Sequence, residues 1–240
     1  MKAFILAAGR GTRISRHING KPKCTVQLSA DTTLIRHTVE SLLERGIREI
    51  VLVLGYRSDA VLEALSGLPI QYRVNPFFDV TNSIASLWFA RDMLDASQPT
   101  IMMNGDVFLS DEALDAVLAE RCSPVLFYDS SRILEADYKF GCDGERLVRY
   151  GKELTPEQTS GEYVGCAVFS AAYTAQFIKR LEEMIASQRH SAWWEDVLYS
   201  MADESTIIAR DIAGVFWGEV DFVEDYDRIM AFYGKLIAQA

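Results

Sequence analysis

Unbroken apolar runs alternate with helical stripes over the first half of this 240-residue chain. Residues 3–7 are all apolar, the pattern of a strand covered on both faces. From Thr33 to Arg45, Leu34, Ile35, Val39, Leu42 and Leu43 recur at helical spacing, and Gly46 follows where a left-handed cap is expected. Ile50–Leu54 is a second buried strand, 58–66 a helix and 70–74 a third strand. Thr81 or Asn82 caps a helix to about Met93, with Ile84, Leu87, Trp88 and Leu94 inward. A strand at 99–103, a helix from Ser110 to Glu120 and a strand at 124–128 complete the alternation. Strand–helix–strand repetition predicts an α/β fold built on a parallel sheet.

From Asp129 to Gly161 the pattern shortens. Segments such as Tyr138-Lys139-Phe140-Gly141 and Arg146–Tyr150 predict a β-ribbon beside the main sheet. A strand at 163–169, helices at 171–187 and 193–203 and a strand at 206–210 follow. The last helix, 222–238, carries an apolar stripe from Phe222 to Ile237. Without repeats, linkers or low-complexity stretches, residues 1–240 read as a single domain.

Composition narrows the partners. Nearly half the residues (49%) are apolar, enough for a sizeable core. The net charge of −10 repels long nucleic acids. No run approaches the roughly 18 apolar residues of a membrane span. The apolar start is too short for a signal peptide. Cys24, Cys122, Cys142 and Cys166 show no C-x-x-C spacing, and the three histidines form no ligand pair, so reduced cytoplasmic thiols are expected and a zinc site is not. The aromatic-rich last helix leaves room for a homodimer surface.

Against this acidity, Arg10, Arg13, Arg16, Lys21 and Lys23 crowd one loop. Leu6-Ala7-Ala8-Gly9-Arg10-Gly11-Thr12-Arg13 follows the first strand directly. Glycines let backbone N–H groups bend against an anion, and the cations add full charge. Such a loop suits a nucleoside triphosphate. It has neither the P-loop pattern nor the third glycine of the dinucleotide turn, and glycine pairs also serve ordinary turns.

Asp106 stands just past a buried strand, where open α/β sheets place ligands. Asn104-Gly105-Asp106 also reads as a plain turn. In Trp217-Gly218-Glu219-Val220-Asp221 the two acids share a face of extended chain. Asp221 also suits the cap of the last helix, which is compatible with metal binding. Carboxylates beside a triphosphate suit Mg²⁺, an oxygen-seeking ion.

The loop, Lys21-Pro22-Lys23, Gly105-Asp106 and Trp217-x-Glu219-x-Asp221 occur in this order across nearly the whole chain. Together they resemble the nucleotidyltransferase family of sugar-phosphate and phosphocholine cytidylyltransferases. Asn82-Ser83-Ile84-Ala85-Ser86-Leu87, Lys139, Arg149–Lys152 and Ser160–Gly165 are similar to the branch acting on phosphocholine and phosphonates. The resemblance implies a Rossmann-like, mostly parallel mixed sheet and transfer of CMP from CTP to a small phospho-alcohol or phosphonate. It implies that Leu6, Ala7, Ala8, Gly9, Gly11, Thr12, Arg13, Lys23, Asn82, Ser83, Gly105 and Asp106 hold the nucleotide. Arg13, Lys23 and Lys152 act at the phosphates, and Asp106, Glu219 and Asp221 bind Mg²⁺. Lys139 and Lys152 meet the acceptor's anion, or belong to a solvated ribbon face.

For the rest of the acceptor, Trp193-Trp194-Glu195-Asp196 is the clearest signal. Trp194, Val197, Leu198 and Met201 form an inner stripe that leaves Trp193 and the acids outside it. An aromatic face with a carboxylate suits an amine or quaternary ammonium. In the phosphocholine branch, aromatic and acidic residues in this neighbourhood meet the choline group, so the resemblance makes Trp193 and Glu195 acceptor candidates, with Tyr163 a weaker third. The same acids also suit a plain helix start. A sugar-1-phosphate nucleotidyltransferase and a nucleotide sensor are the alternatives. The usual Gly-Thr-Ala segment is missing for the first, and the intact metal carboxylates weigh against the second.

Overall fold

The first strand, β1 (Lys2–Ala7), is buried along its whole length. The computed structural model describes residues 1–11, 18 and 20–239. After β1 come α1 (Leu34–Glu44), β2 (Glu49–Leu54), α2 (Ser58–Ala64), β3 (Gln71–Val74), α3 (Ser83–Phe89), β4 (Thr100–Asn104), β5 (Val107–Leu109), α4 (Asp111–Ala119) and β6 (Val125–Asp129). The second half holds β7 (Lys139–Asp143), β8 (Arg146–Gly151), β9 (Gly161–Phe169), α5 (Ala171–Ala186), α6 (Glu195–Tyr199), β10 (Ile208–Asp211), β11 (Trp217–Glu219) and α7 (Val223–Gln239).

Among the described residues nine strands form one sheet in the order β3-β2-β1-β4-β9-β6-β10-β8-β7. The pairs β3–β2, β2–β1, β1–β4 and β6–β10 are parallel, while β9 runs antiparallel to both β4 and β6. The sheet is thus mixed, with β8 and β9 reversed against the other strands. Its continuous apolar runs have a direct cause. Ala3, Ile5 and Ala7 enter a core shared with α1, α2 and α4, whereas Phe4 and Leu6 enter a second core shared with α3, α5 and α6. Burying a side chain of the size of Phe4, Ile5 or Leu6 contributes about 1.5–3 kcal/mol.

Four features depart from the sequence reading. The ribbon β7–β8 extends the main sheet, and β7 also pairs with β9, closing β9-β6-β10-β8-β7 into a ring. Gly161 permits the close approach of β9 to the end of β6, because a Cβ would meet the Asp129 backbone. The helix expected at 193–203 is helical only over Glu195–Tyr199, and turns carry the chain onward. The helix expected to run to Met93 ends as an α-helix at Phe89, with a 3₁₀ turn at Arg91–Met93. Finally, β5 and β11 form a separate two-stranded sheet that the pattern does not reveal, since three residues are too few to show a period. Helix α7 covers this small sheet through Ile229, which packs with Phe108 and Val220. Among the described residues no helix is long and apolar enough to cross a membrane.

Candidate active site

A cavity of about 410 Å³ opens at the end of β1 and β4. Leu6, Ala8, Gly9 and Gly11 line one part of it. The backbone after β2 pins this loop: Tyr56 N donates to Ala8 O at 3.0 Å, and the Tyr56 hydroxyl donates to Gly20 O at 2.8 Å. Gly11 has φ +62°, and a Cβ there would lie 2.5 Å from Lys23 Cγ. The lysine side chain therefore passes where only glycine leaves room. Thr12 and Arg13 lie outside the described residues.

Lys23 begins a short 3₁₀ turn behind Pro22. Its Nζ lies 2.5 Å from Asp106 Oδ2 and 2.6 Å from Asp221 Oδ1. The carboxylates meet because β5 pairs with β11. Val107 stands opposite Glu219, and Val220 N donates to Asp106 O at 3.0 Å. Asp106, Glu219 and Asp221 each offer an oxygen, and these oxygens lie within 4.8 Å of one another. Three hard oxygen donors around an ammonium fit a divalent cation such as Mg²⁺. Burial works against the Lys23 ammonium, but Asp106, Glu219 and Asp221 outweigh it and raise the lysine pKa. Burial, followed by the charge of Asp106, raises Glu219 well above the usual carboxylate range. The neighbouring Cys24 thiol, buried in full, is pushed up to about 12.

Asn82 and Ser83 sit at the start of α3 and line the cavity. Asn82 caps the helix through its side chain, and Ser83 Oγ accepts from Trp194 N at 2.9 Å. The loop before them is held by fully buried Asn75. Its amide donates to Thr81 Oγ1 and Ser86 Oγ, and its carbonyl accepts from Phe77 N. This brings Phe78 and Thr81 to the cavity wall, the first named by no motif and the second read only as a helix cap. Ala7 and Gly105 stand just behind the wall. Gly105 N donates to Leu6 O at 2.8 Å, and a Cβ there would sit 2.9 Å from Ala7 Cβ.

Tyr163, Trp193, Glu195 and Lys152 line the remainder, joined by Asn104, Asp137 and Tyr138. Trp193 is 53% exposed, whereas Trp194 is fully buried. Glu195, expected off the inner stripe, is itself buried. The short helix turns it inward, where Asn104 Nδ2 and the Tyr163 hydroxyl donate to Oε1 at 3.4 and 3.3 Å. Among the described residues Oε2 has no hydrogen-bond partner. Burial pushes the Glu195 carboxyl up to about 8. Lys152 Nζ pairs with Asp137 Oδ2 at 2.7 Å at a half-exposed position. Lys139 departs from its expected place. It is not among the lining residues, and its ammonium donates to the carbonyls of Lys152 and Leu154 at 3.1 and 3.0 Å. It fastens the turn that carries Lys152.

Comparison with known proteins places this geometry in context. The family model of the MobA-like NTP transferase domain matches residues 3–197. The choline-phosphate cytidylyltransferase of Streptococcus pneumoniae is 24% identical over 236 residues, covering 95% of this chain and 96% of that protein. CMP-5'-(3-aminopropyl)phosphonate synthase of Streptomyces rubellomurinus is 33% identical over 123 residues. That match spans 50% of this chain and only 19% of that much longer protein. Among solved structures, CTP:phosphocholine cytidylyltransferase from Streptococcus pneumoniae superposes with a TM-score of 0.75 at 19% identity, covering 96% of this chain and 98% of that one. The mixed α/β sheet is the one seen in that nucleotidyltransferase.

Proposed function

As the chain belongs to the MobA-like NTP transferase family, we propose that it is a cytidylyltransferase joining CMP to a small zwitterionic phosphate or phosphonate. One observation carries the reading: a single cavity holds the Lys23–Asp106–Glu219–Asp221 cluster together with the buried acid Glu195 and the cation Lys152. The first group suits a triphosphate with its divalent cation. Lys152 and Glu195 suit the anionic and cationic ends of a small acceptor. The CTP-using relatives support the choice of nucleotide.

The chemistry follows from the charges. A phosphate monoester has its second pKa at about 6, so the attacking oxygen is ionised at neutral pH without a base. That oxygen forms a bond to the α-phosphorus, the bond to the β-phosphate oxygen breaks, and its electron pair leaves on pyrophosphate. Lys23 neutralises charge at the phosphorus under attack. Backbone N–H groups of the Gly9–Gly11 loop hold the phosphates. Lys152 positions the acceptor anion, and Glu195, which gives up its proton when an ammonium pairs with it, receives the cationic end with Trp193. A divalent cation held by Asp106, Glu219 and Asp221 supplies further charge neutralisation when bound. Catalysis is then positioning plus electrostatics.

An acceptor bearing N–H donors fits Glu195 better than a quaternary ammonium, because the unpartnered buried oxygen gains a hydrogen bond. The test is pyrophosphate release from each of four nucleoside triphosphates with phosphocholine, phosphoethanolamine, 2-aminoethylphosphonate and sugar 1-phosphates. Release with CTP and an aminoalkyl acceptor, abolished in Asp106→Ala, is expected. Preference for a sugar 1-phosphate with GTP or UTP transfers the reading to sugar activation. No release with any pair defeats it.

A further inference from the structure

Asn104 ends β4, and a single glycine separates it from Asp106. In the sequence it reads as the first residue of an Asn-Gly-Asp turn. In the fold it joins segments 90 residues apart: Trp194 Nε1 donates to Asn104 Oδ1 at 2.8 Å, and Asn104 Nδ2 donates to Glu195 Oε1. An indole N–H is only a donor, so the amide oxygen must face Trp194, which turns the amide NH₂ toward Glu195. No other neutral side chain of this size offers an acceptor and a donor in that arrangement.

The consequence lies at Glu195. Its Oε1 receives two donors, from Asn104 and from the Tyr163 hydroxyl, while Oε2 receives none among the described residues. The carboxylate therefore cannot turn without losing both bonds. Trp194 is fixed in turn by its backbone N–H to Ser83 Oγ and by complete burial. Behind the amide, Gly165 has φ +85°, and a Cβ there would lie 3.4 Å from Asn104 Nδ2. The amide is held from three sides, by β4, β9 and α6.

We propose that Asn104 is a positioning residue that fixes the rotation of Glu195 and so sets selectivity for an acceptor's N–H-bearing cation. This rests on the proposed function, and it adds a link between the two halves of the cavity. Since Asn104 and Asp106 share one strand end, the carboxylate meeting the acceptor is held in register with the carboxylate meeting the nucleotide.

The polarity of the bonds supplies the test. In Asn104→Asp the indole N–H keeps its acceptor, but a carboxylate now faces Glu195 Oε1. The expected result is a tenfold or larger rise in KM for 2-aminoethylphosphonate, with KM for CTP within about twofold. In the double variant N104D/E195Q, the introduced carboxylate accepts from both Trp194 Nε1 and the introduced amide. The melting temperature then returns toward wild type while acceptor KM stays high. A purely structural role would instead move both KM values together, and that outcome overturns the proposal, as does an unchanged acceptor KM. Should N104D not fold, Asn104→Ser serves the same comparison.

A second readout does not depend on turnover. The Trp194 indole N–H resonance is expected to shift in N104D, and to shift in wild type on adding 2-aminoethylphosphonate. If wild type transfers CMP to no acceptor, the proposed function fails. An indole resonance that is the same in N104D and wild type removes the Asn104 link itself.

Discussion

Lys23 Nζ donates to Asp221 Oδ1 at 2.6 Å, joining positions 198 residues apart. With Asp106 at 2.5 Å from the same nitrogen, the ammonium lies among the oxygens suited to a divalent ion. Lys23 thus occupies the same carboxylates that would hold a divalent cation.

Lys23→Met is expected to act in two directions. Pyrophosphate release should fall about 10²–10³-fold, the usual cost of removing a charge-stabilising donor. Binding of Mn²⁺ without nucleotide, followed by electron paramagnetic resonance, should tighten because a tethered competitor is gone. Near-normal release, or weaker Mn²⁺ binding, would contradict the arrangement.

Lys152 pairs with Asp137 at a half-exposed position, so its removal should cost little stability. Lys152→Ala is expected to raise acceptor KM about tenfold and leave CTP KM nearly unchanged. Steady-state kinetics with each substrate varied in turn checks this. An equal rise in both KM values would move Lys152 to the nucleotide side.

Glu195 gives the protein a pH dependence of definite sign. Burial raises its carboxyl to about 8, so the folded chain holds a proton that the unfolded chain releases near pH 4.5. Stability from this group is complete below the unfolded pKa and is lost as pH rises through about 8. Asp196 on its own helix adds to the rise, while Tyr163 and Asn104 oppose it through hydrogen bonds. Glu219, also raised, contributes a slope of the same sign. Glu195→Gln should melt within about 1 °C of wild type at pH 4, below the unfolded pKa, where both states of the wild type hold the proton. At pH 9 it should melt higher by about 2–4 °C for each kcal/mol relieved. Equal melting temperatures at both pH values would show that the carboxyl is not held protonated.

Gly165 tests how tightly β9 packs behind the site. Its φ of +85° strains any side chain, and a Cβ would lie 2.7 Å from Val107 Cγ2. Gly165→Ala is expected to cost about 1–3 kcal/mol in denaturant unfolding. Gly144→Ala has a similar φ of +57° but open space around it, and should cost less. Equal losses would mean that β9 yields readily.

Much of the architecture was legible because its elements are long enough to show a period. Residues 3–7 of β1 and 50–54 of β2 are apolar throughout since helices cover both faces of the sheet, and α1 and α5 carry clear stripes. The three-residue strands β5 and β11 were not legible, although they bring Asp106 and Asp221 together. Glu195 was readable as a chemical candidate but not as a buried one, because five residues of helix do not establish which side faces inward. For Lys139 the residue type suggested an anion contact. The register of β7 sends its ammonium to backbone carbonyls instead.

The local sequence determined which groups are present. A glycine loop follows a buried strand, cations stand at Lys21 and Lys23, and acids stand at Asp106, Glu219 and Asp221. Backbone freedom, side-chain charge and apolar period are properties of neighbouring residues, so they are written locally. Tertiary structure decided the rest: that Lys23 rests on two carboxylates, that Asn104 orients Glu195, and that Lys139 turns away. Those outcomes depend on pairings between strands and helices up to 198 residues apart, and on the desolvation that their packing imposes.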